Sequence, residues 1–277
     1  MHDTSKAGEP MKPPDAIVPA RIRFVLVRTS HPGNIGSAAR AIRTMGFRRL
    51  HLVAPEAFPH AEANALAAGA GDVLDAAVVD AALPDAIADC GLVLGATARP
   101  RGIALEELDP RRAARRVLDA ALAGREVALV FGNERSGLEN EEVKYCHAAV
   151  TIPSDPGYSS LNLAQAVQVV AWELRMAWLD GVVEGPATPA GKPADGAQME
   201  QYFSHLARAL DAIEFHKGRS PERIMQRLRR LYLRAAPDQR ELRVLHGILA
   251  DTCRIAAIAA KTGSSAAPEA TDRSTED

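Results

Sequence analysis

Short β-rich apolar runs, each followed by a stretch long enough for a helix, constrain this chain more than any other feature. Residues 22–27, 50–54, 92–96, 127–131 and 148–152 read as strands, and 127–131 is a continuous apolar run of strand length. Such runs must be covered on both faces, and alternation with helices supplies that cover. Residues 34–45 carry Ile35, Ala38, Ala39 and Ile42 on one side, with Gly46 placed as a glycine that ends a helix. Residues 61–70 and 81–88 read as helices, 77–79 as a weak strand, and 109–122 as a helix opened by Asp109-Pro110. A long helix with Ala166, Val169, Val170 and Leu174 on one side follows the loop at 159–162. The pattern predicts an α/β fold: a mostly parallel sheet with helices on both faces. In such sheets ligands collect at the carboxyl ends of the strands.

The composition narrows the field. At 277 residues, the chain has room for one large domain and a small companion. A formal net charge of −2 excludes a protein that is basic throughout, so any nucleic-acid contact must rest on local patches. Cys90, Cys146 and Cys253 are scattered singly, with neither metal-ligand nor disulfide spacing, which suits a reducing, cytoplasmic setting. No run is long enough to cross a membrane, and no metal cluster is visible.

Five segments follow from these shifts. Residues 1–20 are polar and proline-rich, a flexible leader. Residues 21–180 hold the strand–helix alternation. Residues 181–196 are rich in Gly, Pro and Ala, a linker. Residues 197–261 contain three helical patterns and form a small helical domain. Residues 262–277 read as a disordered tail.

Three polar loops follow predicted strands. In Pro32-Gly33-Asn34-Ile35-Gly36, Asn34 stands where an N-cap belongs, Gly33 and Gly36 permit close approach of a ligand or another backbone, and Arg40 lies further along the helix. In Gly132-Asn133-Glu134-Arg135-Ser136-Gly137, a glycine directly after a buried strand admits a flat ligand, and Glu134 can accept from it or pair with an arginine. Tyr158-Ser159-Ser160-Leu161-Asn162 offers hydroxyls and an amide, or simply a serine N-cap. Neither a Rossmann glycine fingerprint nor a Walker lysine loop is present. His31 reads as a turn residue beside Pro32, and Trp172 and Trp178 as core or interface aromatics.

The set Asn34…Arg40, Gly132-x-Glu134-x-x-Gly137 and Ser160-Leu161-Asn162 resembles the three motifs of the SpoU/TrmH branch of the SPOUT RNA methyltransferases. Thr29-Ser30-His31, Ala39-Arg40-Ala41, Ala128–Gly132 and the segment from Tyr158 to Ala164 strengthen it, and the likeness extends to Leu228–Leu231 and Gly247–Ala250 in the last domain. The likeness is closest to members that act on the anticodon loop of tRNA. The resemblance implies a C-terminal trefoil knot, a homodimer with its active site near the subunit interface, and S-adenosylmethionine as methyl donor, released as S-adenosylhomocysteine. By position it implies a cofactor site at Ala96, Thr97, Ala98, Gly132, Glu134, Ile152, Ser159, Ser160 and Leu161. Arg40 matches the arginine that the family needs for catalysis, with Asn34, Ser160 and Asn162 orienting arginine and ribose. The expected activity is 2′-O-ribose methylation of tRNA at cytidine or uridine 32, with no metal required.

A 2′-hydroxyl is a weak nucleophile until its proton is removed or its oxygen polarised. A guanidinium keeps its proton in proteins, so Arg40 is expected to hold a phosphate and stabilise a developing alkoxide rather than act as base. The RNA surface is expected at Arg28 and along Arg223, Arg227, Arg230 and Arg234, which recur at helical spacing, while Ile224, Leu228 and Leu231 pack inward. Residues 197–261 hold twelve basic against seven acidic residues, an excess of five positive charges. Arg99, Arg101, Arg111, Arg112, Arg115 and Arg116 extend the basic surface. Two other readings compete: a methyltransferase of ribosomal RNA or another tRNA position, and a non-catalytic RNA-binding relative. The intact Asn34, Arg40, Glu134, Ser160 and Asn162 weigh against the second.

Overall fold

A computed structural model describes residues 17–97, 105–180 and 194–264. They divide into two compact units that part after Ala197.

The first unit opens with a helical turn, α1 (Ile17–Ala20), where a flexible leader was expected. The elements then run β1 (Ile22–Val27), α2 (Pro32–Thr44), β2 (Arg49–Val53), α3 (Ala61–Ala67), α4 (Gly71–Asp75), β3 (Val78–Asp80) and α5 (Leu83–Ile87). After them come β4 (Cys90–Ala96), β5 (Glu106–Leu108), α6 (Pro110–Leu122), β6 (Glu126–Phe131), α7 (Asn140–Val143), β7 (Ala148–Val150) and α8 (Leu163–Leu179). The seven strands form one sheet in the order β3-β2-β1-β6-β4-β7-β5, and every paired neighbour is parallel.

Period-two alternation splits the strands between two cores. Phe24, Leu26, Leu52, Leu94 and Leu129 face one way, against Ile35 and Ile42 of α2, Val117 of α6 and Val170 and Leu174 of α8. Val25, Val27, Val93 and Val130 face the other way, with Leu83 and Ile87 of α5 and Val143 of α7. The central strands thus read as largely apolar runs, with Arg23 of β1 and His51 of β2 as buried polar exceptions, because neither face meets water. Trp178 is buried, its ring 6.2 Å from that of Phe47, whereas Trp172 stays half exposed.

The sheet order brings the carboxyl ends of β1, β6, β4 and β7 side by side. β7 enters late in the chain yet lies between β4 and β5, and β6 lies between β1 and β4. That order is compatible with the threading that the resemblance implies.

The second unit consists of α9 (Gly196–Ala212), α10 (Pro221–Ala235) and α11 (Gln239–Ser264). Tyr202 anchors it, with rings of Phe203, Tyr232 and His246 packed around it. Arg229 pairs with Glu200 and lies over the Phe203 ring. α11 continues through Ser264, so the helix extends into the stretch expected as a tail. The inward leucine of α10 is Leu233; Leu231, expected to face inward, is 46% exposed.

Candidate active site

The three polar loops meet at the carboxyl edge of the sheet, and a chain of side chains from Glu134 through Asn34 to Asn162 ties them together. Glu134 follows β6. Its Oε2 accepts from the Ser30 amide at 3.0 Å and the Ser30 hydroxyl at 2.9 Å. Its Oε1 accepts from the His31 amide at 3.2 Å and from Asn34 Nδ2 at 2.9 Å. Burial alone would raise the pKa of Glu134, but the Ser30 amide, Asn34 and the His31 amide outweigh it and hold the pKa below the ordinary carboxylate value. Glu134 is therefore ionised and fully supplied with donors.

Asn34 carries the link onward. Its Oδ1 accepts from Asn162 Nδ2 at 2.9 Å, while Asn162 Oδ1 caps α8 by accepting from the amides of Ala164 and Gln165. Glu134, Asn34 and Asn162 thus form a chain across loops 100 and 128 residues apart. Two expectations change here. The helix α2 starts at Pro32, with His31 in the N-cap position, so Asn34 is an interior residue of the first turn and its side chain is free for tertiary contacts. The cap of α8 is Asn162 and not a serine, and Ser159 and Ser160 line a cleft instead.

That cleft, of about 170 Å³, is lined by Ala96 and Thr97 after β4, Gly132 to Gly137 after β6, and Ile152 with Ser159 to Leu161 after β7. Phe131, Val150, Leu163 and Ala166 complete an apolar floor. Of the residues expected to hold the cofactor, Ala96, Thr97, Gly132, Glu134, Ile152, Ser159, Ser160 and Leu161 line this cleft, while Ala98 lies outside the described residues, as do Arg99 and Arg101. A methyl group added at Gly132 would stand 2.2 Å from the Gly137 and Leu138 backbone, so only glycine lets this loop fold back on itself. The close approach that Gly36 permits is to another backbone: its missing side chain makes room for the Ala63 carbonyl of α3, 2.0 Å from where a Cβ would sit.

Arg40 is exposed on α2 and does not line the cleft of its own chain; its guanidinium makes no ion pair among the described residues. Arg28 is engaged within the chain. Its guanidinium is held by Glu142 at 2.8 Å, by Glu139 at 2.8 Å and by the Gly137 carbonyl. A side chain so engaged braces the Gly132 loop against the end of β1. Arg223, Arg227, Arg230 and Arg234 all lie exposed on α10. Arg112 and Arg115 are exposed on α6, Arg111 lies 3.6 Å from Glu173, and Arg116 is paired with Glu106 at 2.7 Å.

Two site residues escape a reading of the loops one at a time. Ser30 gives Glu134 two of its donors. Asn133 donates to the Arg28 carbonyl at 2.6 Å and accepts from the amides of Arg135 and Ser136. A Gly-Asn pair after a strand signals such a side-chain-closed turn.

A fully parallel sheet whose carboxyl edge carries a glutamate–asparagine–asparagine link beside an apolar-floored cleft fits the SPOUT-type α/β methyltransferase domain that the motif resemblance implies. Residues 21–172 match the SpoU rRNA Methylase family, and residues 197–261 match the C-terminal domain of the tRNA methyltransferase TrmJ. The chain is 49% identical, over 85% of its length and 95% of the relative's, to the tRNA (cytidine/uridine/adenosine-2′-O-)-methyltransferase TrmJ of Pseudomonas aeruginosa (strain UCBPP-PA14). It is 48% identical to the tRNA (cytidine/uridine-2′-O-)-methyltransferase TrmJ of Escherichia coli (strain K12), over 83% of this chain and 94% of that one. The crystal structure of TrmJ from Z. mobilis ZM4 superposes with a TM-score of 0.72 at 33% identity, covering 83% of this chain and 97% of that one. The chain belongs to the TrmJ group of the SpoU methylase family.

Proposed function

We propose that this chain is an S-adenosylmethionine-dependent tRNA 2′-O-ribose methyltransferase that acts at cytidine or uridine 32 of the anticodon loop. The observation that carries the reading is the Glu134–Asn34–Asn162 link, which holds the three motif loops around one cleft. The named activity of the TrmJ relatives supports the substrate class.

The cleft suits the cofactor in kind. Its apolar floor at Phe131, Val150 and Leu163 fits a flat base, and Gly132, Thr97, Ser159 and Ser160 supply polar groups at its sides. S-adenosylmethionine, when bound there, supplies an electrophilic methyl group on a cationic sulfur. The chain's own residues do the rest. Ionised Glu134 keeps the loop after β6 in place through its donors on Ser30, His31 and Asn34. Asn162 fixes the start of α8 and, through Asn34, the start of α2. Arg40, exposed and without an ion pair among the described residues, grips an RNA phosphate beside the target ribose and stabilises negative charge growing on the 2′-oxygen. The 2′-proton leaves to phosphate or water. The working form is a homodimer, with the active site near the subunit interface.

The test is to map methylated nucleotides in total tRNA from a strain lacking the gene. Ribose methylation at nucleotide 32 should vanish, return with the intact chain, and fall about a hundredfold in rate with Arg40→Lys, since a point-charge ammonium lacks the two-pronged planar contact. Methyl groups restored only to ribosomal RNA would reassign the substrate, and near-native Arg40→Lys activity would remove the role given to the guanidinium.

A further inference from the structure

Tyr158 is the most exposed large hydrophobic side chain among the described residues, at 84%, yet it stands immediately before the cleft-lining residues Ser159, Ser160 and Leu161. It is not on a loose strand of chain. Its amide donates to the Asp155 carbonyl at 3.0 Å, the Gly157 amide donates to Asp155 Oδ1 at 2.8 Å, and Ser154 Oγ donates to the Ser159 carbonyl at 3.4 Å. This bonded turn presents an aromatic ring to solvent at one end. Its other end is fixed by Asn162, which caps α8 and reaches Asn34. Neither the core nor the three-loop link uses the ring.

An exposed tyrosine held beside a cleft offers two ring faces and a hydroxyl at low conformational cost. The same cleft is lined by Arg135, an exposed cation with no ion pair among the described residues, so a phosphate-bearing partner is favoured there. Single-stranded RNA loops are recognised by splaying out bases and stacking them on aromatic rings, which tolerates any base because every base has a π face. We infer that Tyr158 is a positioning residue that stacks on a base of the anticodon loop next to the reacting ribose, while the chain's polar groups hold the sugar. This inference rests on the tRNA methyltransferase reading given above. It gives the site a means of holding cytidine and uridine alike.

The experiment compares the intact protein with Tyr158→Phe, Tyr158→Leu and Tyr158→Ala. Each is assayed for methyl transfer to tRNA, for S-adenosylmethionine affinity by calorimetry, and for fluorescence quenching of a tRNA anticodon arm carrying 2-aminopurine at nucleotide 32. Stacking predicts that Phe stays within about twofold while Leu and Ala raise KM for tRNA about tenfold. kcat changes little, because stacking serves ground state and transition state alike. Quenching should survive in Phe and disappear in Leu and Ala, with cofactor affinity unchanged in all. Equal KM and equal quenching across the series would overturn the inference while leaving the methyltransferase reading intact. So would a Leu variant that matches Phe, which would make the ring mere bulk, or a loss of cofactor affinity or of the dimer in parallel with KM. An intact protein that methylates no RNA would overturn both.

Discussion

At the scale of single residues, Asn34 is the pivot, because both ends of its amide are engaged with different loops. The sequence placed it as a helix cap, and that was the natural reading of an asparagine after Pro-Gly. His31 takes the cap position because Pro32 sits well at the first helical residue, where its missing N–H costs nothing. The local pattern could not reveal a partner 100 residues away. Arg28 shows the same limit: its charge was legible, but its partners Glu139 and Glu142 lie 111 and 114 residues further along the chain. Asn34→Asp tests the pivot with almost no change of shape. It puts a second carboxylate against Glu134 Oε1 and removes one of the two donors that oxygen uses. We expect cofactor affinity to fall by about 2 kcal/mol, the cost of an unsatisfied and repelled polar group. Calorimetry with S-adenosylmethionine reads this directly; an affinity within twofold of the intact protein would show that the link does not shape the cleft.

At the scale of elements, the long apolar runs were legible and the short pieces were not. β1 matches its expected bounds, and the other long runs differ by a residue or two at their ends. β5, α4 and α7 were missed because three to five residues carry no periodicity to read. His147 shows how two strands are held where the pattern says little. Just ahead of β7, its amide donates to the Val93 carbonyl at 2.8 Å, and its Nδ1 accepts from the Val93 amide at 3.1 Å. A nitrogen that accepts an N–H carries no proton, so the fold wants this ring neutral. Burial first, then the charge of Arg116, pushes its pKa down to about 4. The sign follows: the unfolded chain takes up the proton near pH 6.5 and the folded chain only near 4, so acid favours unfolding through this group. Stability from His147 is whole above pH 6.5 and is lost as pH falls toward 4. The residue as a whole is only partly buried, so we expect a loss of about 1–2 kcal/mol across that window, less than the full shift would give. Urea unfolding at stepped pH should show a flatter profile for His147→Asn, which keeps an acceptor but does not titrate. Equal slopes would assign the acid sensitivity elsewhere.

At the scale of the whole molecule, charge is distributed unevenly. The chain totals −2, yet residues 197–261 carry an excess of five positive charges, so the rest of the chain is acidic overall. An anionic tRNA of many phosphates gains most from such a concentrated surface, and that gain must weaken as salt rises, since each neutralised phosphate releases counterions. Arg223, Arg227 and Arg234 are exposed on one helix, α10, at four- and seven-residue steps, and no carboxylate among the described residues pairs with any of them. Replacing the three together with Gln leaves the fold of α10 untouched, because its inward contacts run through Leu233 and Tyr232. If these arginines hold phosphates, tRNA affinity should drop about tenfold or more near physiological salt, and the slope of log affinity against log salt should become shallower by about two. S-adenosylmethionine affinity should not change, since none of the three lines the cleft. Filter binding across a salt series separates this from the alternative, in which the stripe is a solvated helix face: the slope would then stay as steep as before, and the phosphate contacts would have to be sought on the exposed Arg112 and Arg115 of α6.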